Sequence, residues 1–373
     1  MKNILITGSN GFIGKNLVSW LKNIPNISIK TFERDNDISL LSQCLKNVDY
    51  VIHLAGENRT NDLNNYYKNN VEFTLLLSQK IRQELEKSKR LIKLIFASSS
   101  QALLKNPYGR SKLKAEKILE KLSKESNCYV NIFRLPGIFG KWCKPNYNSV
   151  VATFCHRISK NIPIKIDDPN KKLKLVYIDD VINEIVKCIS KKVDHKLFKS
   201  VKPEYTISLS ELAIQIKKFK LHRKSLDIEN FGSGLTKFLY ATYLSYLSPE
   251  NFSYKLKVNT DPRGKFVEAL KSKSIGQISF LTINPKQKRG GHYHNTKTEK
   301  FFVIQGEALF RFRHLLNNNY FELKVSANNL KVVDTVPGWS HDIINTGRKS
   351  LIIILWSNEI YDAKKPDTIQ HKI

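Results

Sequence analysis

Along the first half of the chain, short apolar runs alternate with amphipathic stretches. Ile4–Thr7, Ile27–Phe32, Tyr50–Leu54, Leu94–Ser98 and Val130–Leu135 read as strands. Ile13–Leu21, Asn65–Glu86 and Ser111–Lys121 read as helices between them. Helical signals continue through Val150–Lys160, Val181–Lys191 and Ser210–Phe219, the last with Ser210 followed by Glu211 as its N-terminal cap. This alternation predicts an α/β domain with a parallel, doubly wound sheet. After about residue 250 the texture changes to short β-type runs: Gln277–Ile283, Lys300–Gln305, Ala308–Arg313, Tyr320–Val325 and Ser350–Trp356. Turn residues such as Asn284-Pro285, Gly290-Gly291 and Pro337-Gly338 punctuate them, which predicts a small all-β barrel or jelly roll. The boundary falls in Ser245–Asn259, giving domains at 1–245 and 252–373.

Composition changes this picture little. A chain of 373 residues is too long for one ordinary core, in keeping with two domains. Apolar runs fall short of the roughly 20 residues that span a bilayer, and Ile4–Ile6 leads into a glycine-rich turn rather than a signal-peptide cleavage site. The cysteines Cys44, Cys128, Cys143, Cys155 and Cys188 are scattered and form no C-x-x-C pair, which suits a reducing, cytoplasmic setting. The net charge of +29 raises nucleic acid as a partner. Its lysines, however, are spread along the chain without aromatic interleaving, so we expect no nucleic-acid or membrane partner and an anionic diphosphate ligand instead.

The first strand ends in Thr7-Gly8-Ser9-Asn10-Gly11-Phe12-Ile13-Gly14. Gly8 and Gly11 allow close approach to a pyrophosphate, Gly14 lets helix and strand pack, and the helix N-terminus offers N–H groups to phosphates. After the second strand, Glu33 is followed by Arg34, whose guanidinium suits the 2′-phosphate of NADPH; a solvated loop arginine is the plainer reading. Further on, Tyr108-Gly109-Arg110-Ser111-Lys112 follows Ser98-Ser99-Ser100. The spacing puts Tyr108 and Lys112 on one helical face, where an ammonium lowers the phenol pKa for proton exchange with a carbonyl or alcohol. A serine hydroxyl can hold the same oxygen.

These segments, with His53–Gly56 (HLAG), Arg134–Gly140 (RLPGIFG) and Val176–Val181 (VYIDDV), make residues 1–245 resemble the extended short-chain dehydrogenase/reductase family. The resemblance implies Tyr108 as acid/base, Lys112 on the nicotinamide ribose, and one serine orienting the carbonyl, with Ser99 favoured by register over Ser98 and Ser100. It also implies a cofactor site that includes Phe12, Ile13, Leu54, Ala55 and Gly56. Gly137 departs from the family, many of whose members carry asparagine there. Lys141–Ser149 lies where relatives grip a nucleotide-sugar, although an ordinary capped loop reads equally well.

In the rear half, Gly291-His292-Tyr293-His294 is followed by Glu299 and Gly306, and His341 lies in Pro337-Gly338-Trp339-Ser340-His341, four residues before Asn345. On a strand His292 and His294 share a face. Three imidazoles and a carboxylate suit zinc, or another divalent ion such as iron, nickel or manganese. The pattern resembles both motifs of the cupin family, the second departing in having Pro337 directly before Gly338. A cation there would acidify the hydrogen next to a keto-sugar carbonyl, so a neighbouring stereocentre could invert. Asp261–Glu268 resembles the opening strand of cupin-type keto-sugar epimerases and reads otherwise as a turn plus an edge strand. Tyr293, His314 and Lys300 stand open as the proton-transferring base.

Taken together, Phe139–Cys155, Thr242–Tyr254 and His294–Phe301 make the whole chain similar to the bifunctional reductase–cupin enzymes of capsule and O-antigen sugar synthesis. That resemblance implies a dimer acting on a UDP-linked keto-sugar. The cupin would epimerise C3 of a UDP-2-acetamido-2,6-dideoxy-4-hexulose. The reductase would then reduce C4 with NADPH to UDP-2-acetamido-2,6-dideoxy-L-talose, a precursor of UDP-N-acetyl-L-fucosamine. The competing reading is an epimerase or dehydratase that recycles its cofactor and whose cupin only binds ligand or dimerises. A nucleic-acid-binding protein on a borrowed reductase fold would have no need of Ser99, Tyr108 and Lys112.

Overall fold

The computed structural model describes residues 1–190, 196–228 and 230–373. Their contacts form two units, Met1–Lys217 with Gly232–Leu247, and Lys218–Phe231 with Ser248–Ile373. The first contains strands β1 (Lys2–Thr7), β2 (Ile27–Phe32), β3 (Tyr50–His53), β4 (Ile92–Ser99), β5 (Cys128–Leu135), β6 (Gly137–Phe139), β7 (Lys172–Tyr177), β8 (Phe198–Lys199) and β9 (Tyr205–Ser208). Six of them form a sheet in the order β2-β1-β3-β4-β5-β8, with every neighbouring pair parallel. The order reverses at β1, so a crevice opens beyond the carboxyl ends of β1 and β3, where ligands of such sheets bind.

The strands are apolar because both sheet faces are covered. Leu5, Val51, Leu94, Phe96, Val130 and Ile132 bury against Leu77, Ile81, Leu119 and Leu122 of helices Phe73–Ser88 and Pro107–Glu125. Each such side chain contributes about 1.5–3 kcal/mol of burial. Helix Pro107–Glu125 begins four residues before the expected Ser111. Asn106 caps it by accepting from the Gly109 N–H at 2.7 Å, and Pro107 occupies the first turn, where no N–H is needed. The expected helix Asn65–Glu86 is interrupted: Asn64–Tyr66 runs into a π-helical turn, Tyr67–Glu72, before Phe73–Ser88. The helix read as Val181–Lys191 spans Ile178–Ser190, and Lys191 lies outside the described residues. The one read from Ser210 starts at Leu209, and Ser208 caps it, not Ser210. Ser208 Oγ accepts from the Glu211 N–H (3.2 Å) while the Glu211 carboxylate accepts from the Ser208 N–H (2.8 Å), a reciprocal pair. Helix Gly234–Leu244 is an addition to the sequence reading.

The second unit contains β10 (Val258–Asp261), β11 (Gly264–Ser272), β12 (Gly276–Ile283), β13 (Lys288–Tyr293), β14 (Glu299–Gln305), β15 (Glu307–His314), β16 (Tyr320–Ser326), β17 (Val332–Asp334), β18 (Trp339–Asn345), β19 (Leu351–Ser357) and β20 (Ile369–Gln370). They form two antiparallel sheets, β10-β11-β12-β19-β14-β17 and β16-β15-β18-β13-β20, the layout of a cupin jelly roll. Alternate residues point inward. Leu281, Ile283, Phe301, Val303, Phe310, Ile343, Ile353 and Leu355 build the core between the sheets.

Candidate active sites

In the first unit, Gly8 directly follows β1 with φ +75°, and a Cβ there would lie 2.7 Å from the Ala55 nitrogen. At Gly14 a Cβ would meet the Gly8 carbonyl at 2.4 Å. Only glycine permits this tight turn into helix Phe12–Leu21, whose N-terminus carries Gly11, Phe12 and Ile13. Leu54, Ala55 and Gly56 follow β3 along the same crevice, Leu54 donating to the Thr7 carbonyl at 3.1 Å. Glu33 folds back on the turn and accepts from Ser9 N (2.7 Å) and Ser9 Oγ (2.5 Å). Arg34 remains exposed and pairs with Glu57 at 3.0 Å. Glu57 also accepts from the Tyr147 hydroxyl at 3.1 Å, which ties the 141–149 loop to this edge.

Tyr108 lies at the start of its helix and Lys112 one turn on. Burial raises the Tyr108 phenol pKa, and the nearby Ser99 hydroxyl works against that rise. Ser98 is committed elsewhere, donating to Glu116 at 2.5 Å, and Ser100 opens the exposed 3-10 turn Ser100–Leu103. The Lys112 ammonium donates to the Ala97 carbonyl at 2.7 Å and stands over the Phe96 ring. Burial pushes its pKa down to about 7, and the Glu116 charge opposes that fall. Glu116 is itself buried and held by Arg134 at 2.7 Å. Sequence reasoning missed Glu116, although Tyr108, Lys112 and Glu116 repeat at intervals of four. It also missed Asn70, in the π-helical turn, whose amide joins the Glu57 backbone to Ser111 Oγ.

In the second unit, β13 and β18 pair with a bulge between Gly290 and His292. Gly290 has φ +104°, and a Cβ there would strike the Asp342 backbone at 2.7 Å. The bulge turns His292 toward the barrel interior. One donor atom from each of His292, His294, Glu299 and His341 lies within 4.8 Å of the others. His294 Nδ1 contacts the Asp367 carbonyl, which can only accept, so Nδ1 carries the hydrogen and Nε2 offers a lone pair. That lone pair faces the Glu299 Oε2 carboxylate oxygen at 3.2 Å, with His341 Nε2 at 3.7 Å from the same oxygen. Two acceptors so close call for a cation between them, so this donor set fits a divalent metal. Burial, then the neighbouring His341 and His294, hold His292 down at about 3, the neutral form a metal requires. Burial disfavours a charged Glu299 carboxylate, and the Lys297 ammonium at 2.7 Å favours it. Asn345 serves the fold, donating to the Ile283 and Lys349 carbonyls.

A cavity of about 330 Å³ adjoins the cluster, lined by Arg263, Arg289, Lys297, Tyr361 and Gln370 beside the ligands. Arg263 and Arg289 share one carboxylate, Asp261, and Arg289 Nε is buried without a partner among the described residues. The proposed bases do not line this cavity. Tyr293 and Lys300 alternate to the opposite strand face from the ligands, and Lys300 pairs with Asp334 at 2.6 Å. His314 accepts from the Leu316 and Asn317 N–H groups in a turn.

Residues 4–199 match the NAD dependent epimerase/dehydratase family. The chain belongs to that family. Its use of a nicotinamide cofactor follows. Residues 259–369 match the polysaccharide biosynthesis C-terminal domain. Over 98% of its length the chain is 44% identical to the UDP-2-acetamido-2,6-beta-L-arabino-hexul-4-ose reductase of Pseudomonas aeruginosa, covering 97% of that protein. Its fold superposes on the capsular polysaccharide assembling protein CapF of Staphylococcus aureus with TM-score 0.92, at 37% identity and over the whole of both chains. A CapF structure with the inhibitor 3-isopropenyl-tropolone matches at TM-score 0.87 and 34% identity, again over both whole chains. Within the family, the chain therefore groups with CapF.

Proposed function

We propose that this protein is a bifunctional, cytoplasmic nucleotide-sugar enzyme. Its cupin domain, over residues 252–373, epimerises C3 of a UDP-2-acetamido-2,6-dideoxy-4-hexulose. Its reductase domain, over residues 1–245, reduces C4 with NADPH to UDP-2-acetamido-2,6-dideoxy-L-talose, a precursor of UDP-N-acetyl-L-fucosamine. The observation that carries the reading is the pairing of neighbouring Ser99 and Tyr108 and buried Lys112 with a four-ligand cluster in a second fold. The name of the Pseudomonas relative supplies the substrate class.

Gly8–Gly14 and Leu54–Gly56 would hold NADPH, with Arg34 at the 2′-phosphate, and the cofactor would supply hydride. The chain's own residues manage the proton. Tyr108 donates its phenolic hydrogen to the C4 oxygen as charge develops there, Ser99 holds that oxygen, and the Lys112 ammonium stabilises the phenolate left behind. In the cupin, zinc held by His292, His294, Glu299 and His341 would supply the positive charge that acidifies the C–H beside a ketone. Arg263 and Arg289 give the cavity the charge to hold a diphosphate, and Arg289 has an unpaired donor for it. A tropolone, the class of the inhibitor named with a CapF structure, carries adjacent carbonyl and hydroxyl oxygens, a pair that can chelate a divalent metal. Homodimer formation is supported by an outward apolar row across the β12-β19-β14-β17 sheet, where Phe280, Ile354, Phe302 and Val332 lie in register and Ile354 and Val332 remain exposed.

The test is incubation with UDP-4-keto-sugars in deuterated water, followed by absorbance and NMR. One NADPH consumed per product, with deuterium at C3, is the expected result. A cofactor that is recycled without net oxidation would return the protein to the epimerase or dehydratase class.

A further inference from the structure

The four candidate ligands occupy β13, β14, β18 and the loop between the first two, yet their placement depends on a segment far away in sequence. Asp367 lies six residues before the last. Its carboxylate accepts from the consecutive backbone N–H groups of Asn295 (3.0 Å), Thr296 (2.7 Å) and Lys297 (2.9 Å), and from the Asn295 amide (3.1 Å) and Thr296 hydroxyl (3.2 Å). Those residues are the loop that joins His294 to Glu299. The backbone carbonyl of the same residue takes the His294 Nδ1 hydrogen. Just beyond, Gln370 pairs with His292 and Ile369 with Tyr293, the His371 N–H donates to the Gly291 carbonyl at 2.9 Å, and Ser340 Oγ donates to the His371 carbonyl at 3.1 Å. One strap of five residues, 367–371, therefore touches the backbone or side chain of His292 and His294 and the residue before His341.

We propose that Asp367 is the positioning residue of the metal site: its carboxylate sets the 295–297 loop and its carbonyl sets the His294 tautomer, so the C-terminal strap controls metal affinity. The physical reason is directional. Three N–H groups converging on one anion hold a loop in a single conformation, as in anion-binding backbone nests. A ligand imidazole whose other nitrogen is hydrogen-bonded is fixed in both tautomer and ring rotation, and loss of such outer contacts typically costs about 10–100-fold in metal affinity. Asp367→Ala removes the carboxylate and leaves the carbonyl to swing with the freed strap. Asp367→Asn keeps the shape, but exchanges one accepting oxygen for a donor that faces N–H groups.

The inference rests on the metal reading above, and the experiment separates the two. Zinc affinity of the full chain is measured by competition with a chromophoric chelator, and Co(II) added to the metal-free protein is followed by its visible absorption. The melting temperature of each metal-free form reports folding. Asp367→Ala should weaken zinc binding about 10–100-fold, Asp367→Asn less, and both should alter the Co(II) spectrum while the metal-free melting temperature stays within a few degrees. Wild-type affinity and spectrum in both variants would overturn the role of Asp367 and leave the metal site standing. Failure of the wild-type chain itself to bind zinc or Co(II) would overturn the metal reading and this inference with it.

Discussion

The two candidate sites are assembled in opposite ways. The reductase site is local: Tyr108, Lys112 and Glu116 are successive turns of one helix, and Ser98 and Ser99 end the strand before it. Its geometry follows from an Asn106 cap and helical spacing, so the functional residues could be read from their intervals. The cupin site is assembled from β13, β14 and β18 and locked by residues 367–371, some 70 positions from the loop they hold. Its ligands show in sequence because alternation on a strand is local, but what holds them does not. A site built on one helix tolerates change elsewhere; a site built across a barrel depends on remote hydrogen bonds.

The largest expected effect is that of Tyr108→Phe. Removing the proton donor should lower NADPH oxidation with a UDP-4-keto-sugar by about 10²–10⁴-fold, while solvent deuterium exchange at C3 continues. Exchange that vanished too, in a folded and metal-loaded variant, would dissolve the two-site comparison. His341→Ala is the converse: metal content by elemental analysis should fall and C3 exchange should be lost. Unchanged metal content would remove His341 from the ligand set.

Arg34→Ala comes next. Loss of a charge-assisted contact worth about 1.5–3 kcal/mol should raise the KM for NADPH about 10–100-fold and leave that for NADH within a few-fold. Equal effects on both cofactors would make Arg34 a plain partner of Glu57. The smallest change is in Glu116→Gln. Lys112 carries a pKa lowered to about 7 by burial, with Glu116 opposing. The ammonium is thus lost as pH rises through that value, and reduction should fall on the alkaline side. Without the Glu116 charge the Lys112 pKa drops further, so the alkaline limb of the pH–rate profile should move to lower pH by about one unit. A limb that stays in place would restrict Glu116 to packing with Arg134.

Where the reading from sequence failed, the competing physics is visible. The sequence reading starts the helix at Ser111; capping by Asn106 places Pro107 and Gly109 in its first turn instead. Ser208 displaces Ser210 because a reciprocal pair with Glu211 satisfies two N–H groups where Ser210 would satisfy one. Tyr293, His314 and Lys300 are the bases the sequence leaves open, yet strand alternation and a turn carry all three away from the cavity. Lys297, Arg289 and Tyr361 line it instead, and no interval in the sequence marks them.

From sequence alone came the doubly wound first half, the β-rich second half, the glycine turn, the Tyr108/Lys112 pair and the four metal-ligand candidates. The glycine turn, the Tyr108/Lys112 pair and His292/His294 rest on a spacing shorter than about two turns of helix or one hairpin, where geometry is set by the chain's own dihedrals, whereas His341 lies 42 residues beyond Glu299. Tertiary structure alone decided that Glu33 closes on the glycine turn while Arg34 pairs with Glu57 at its edge, and that the Asp367 carboxylate holds the loop between His294 and Glu299. Those are hydrogen bonds between groups whose separation along the chain carries no signal, so only the packing of the whole fold can choose among their partners.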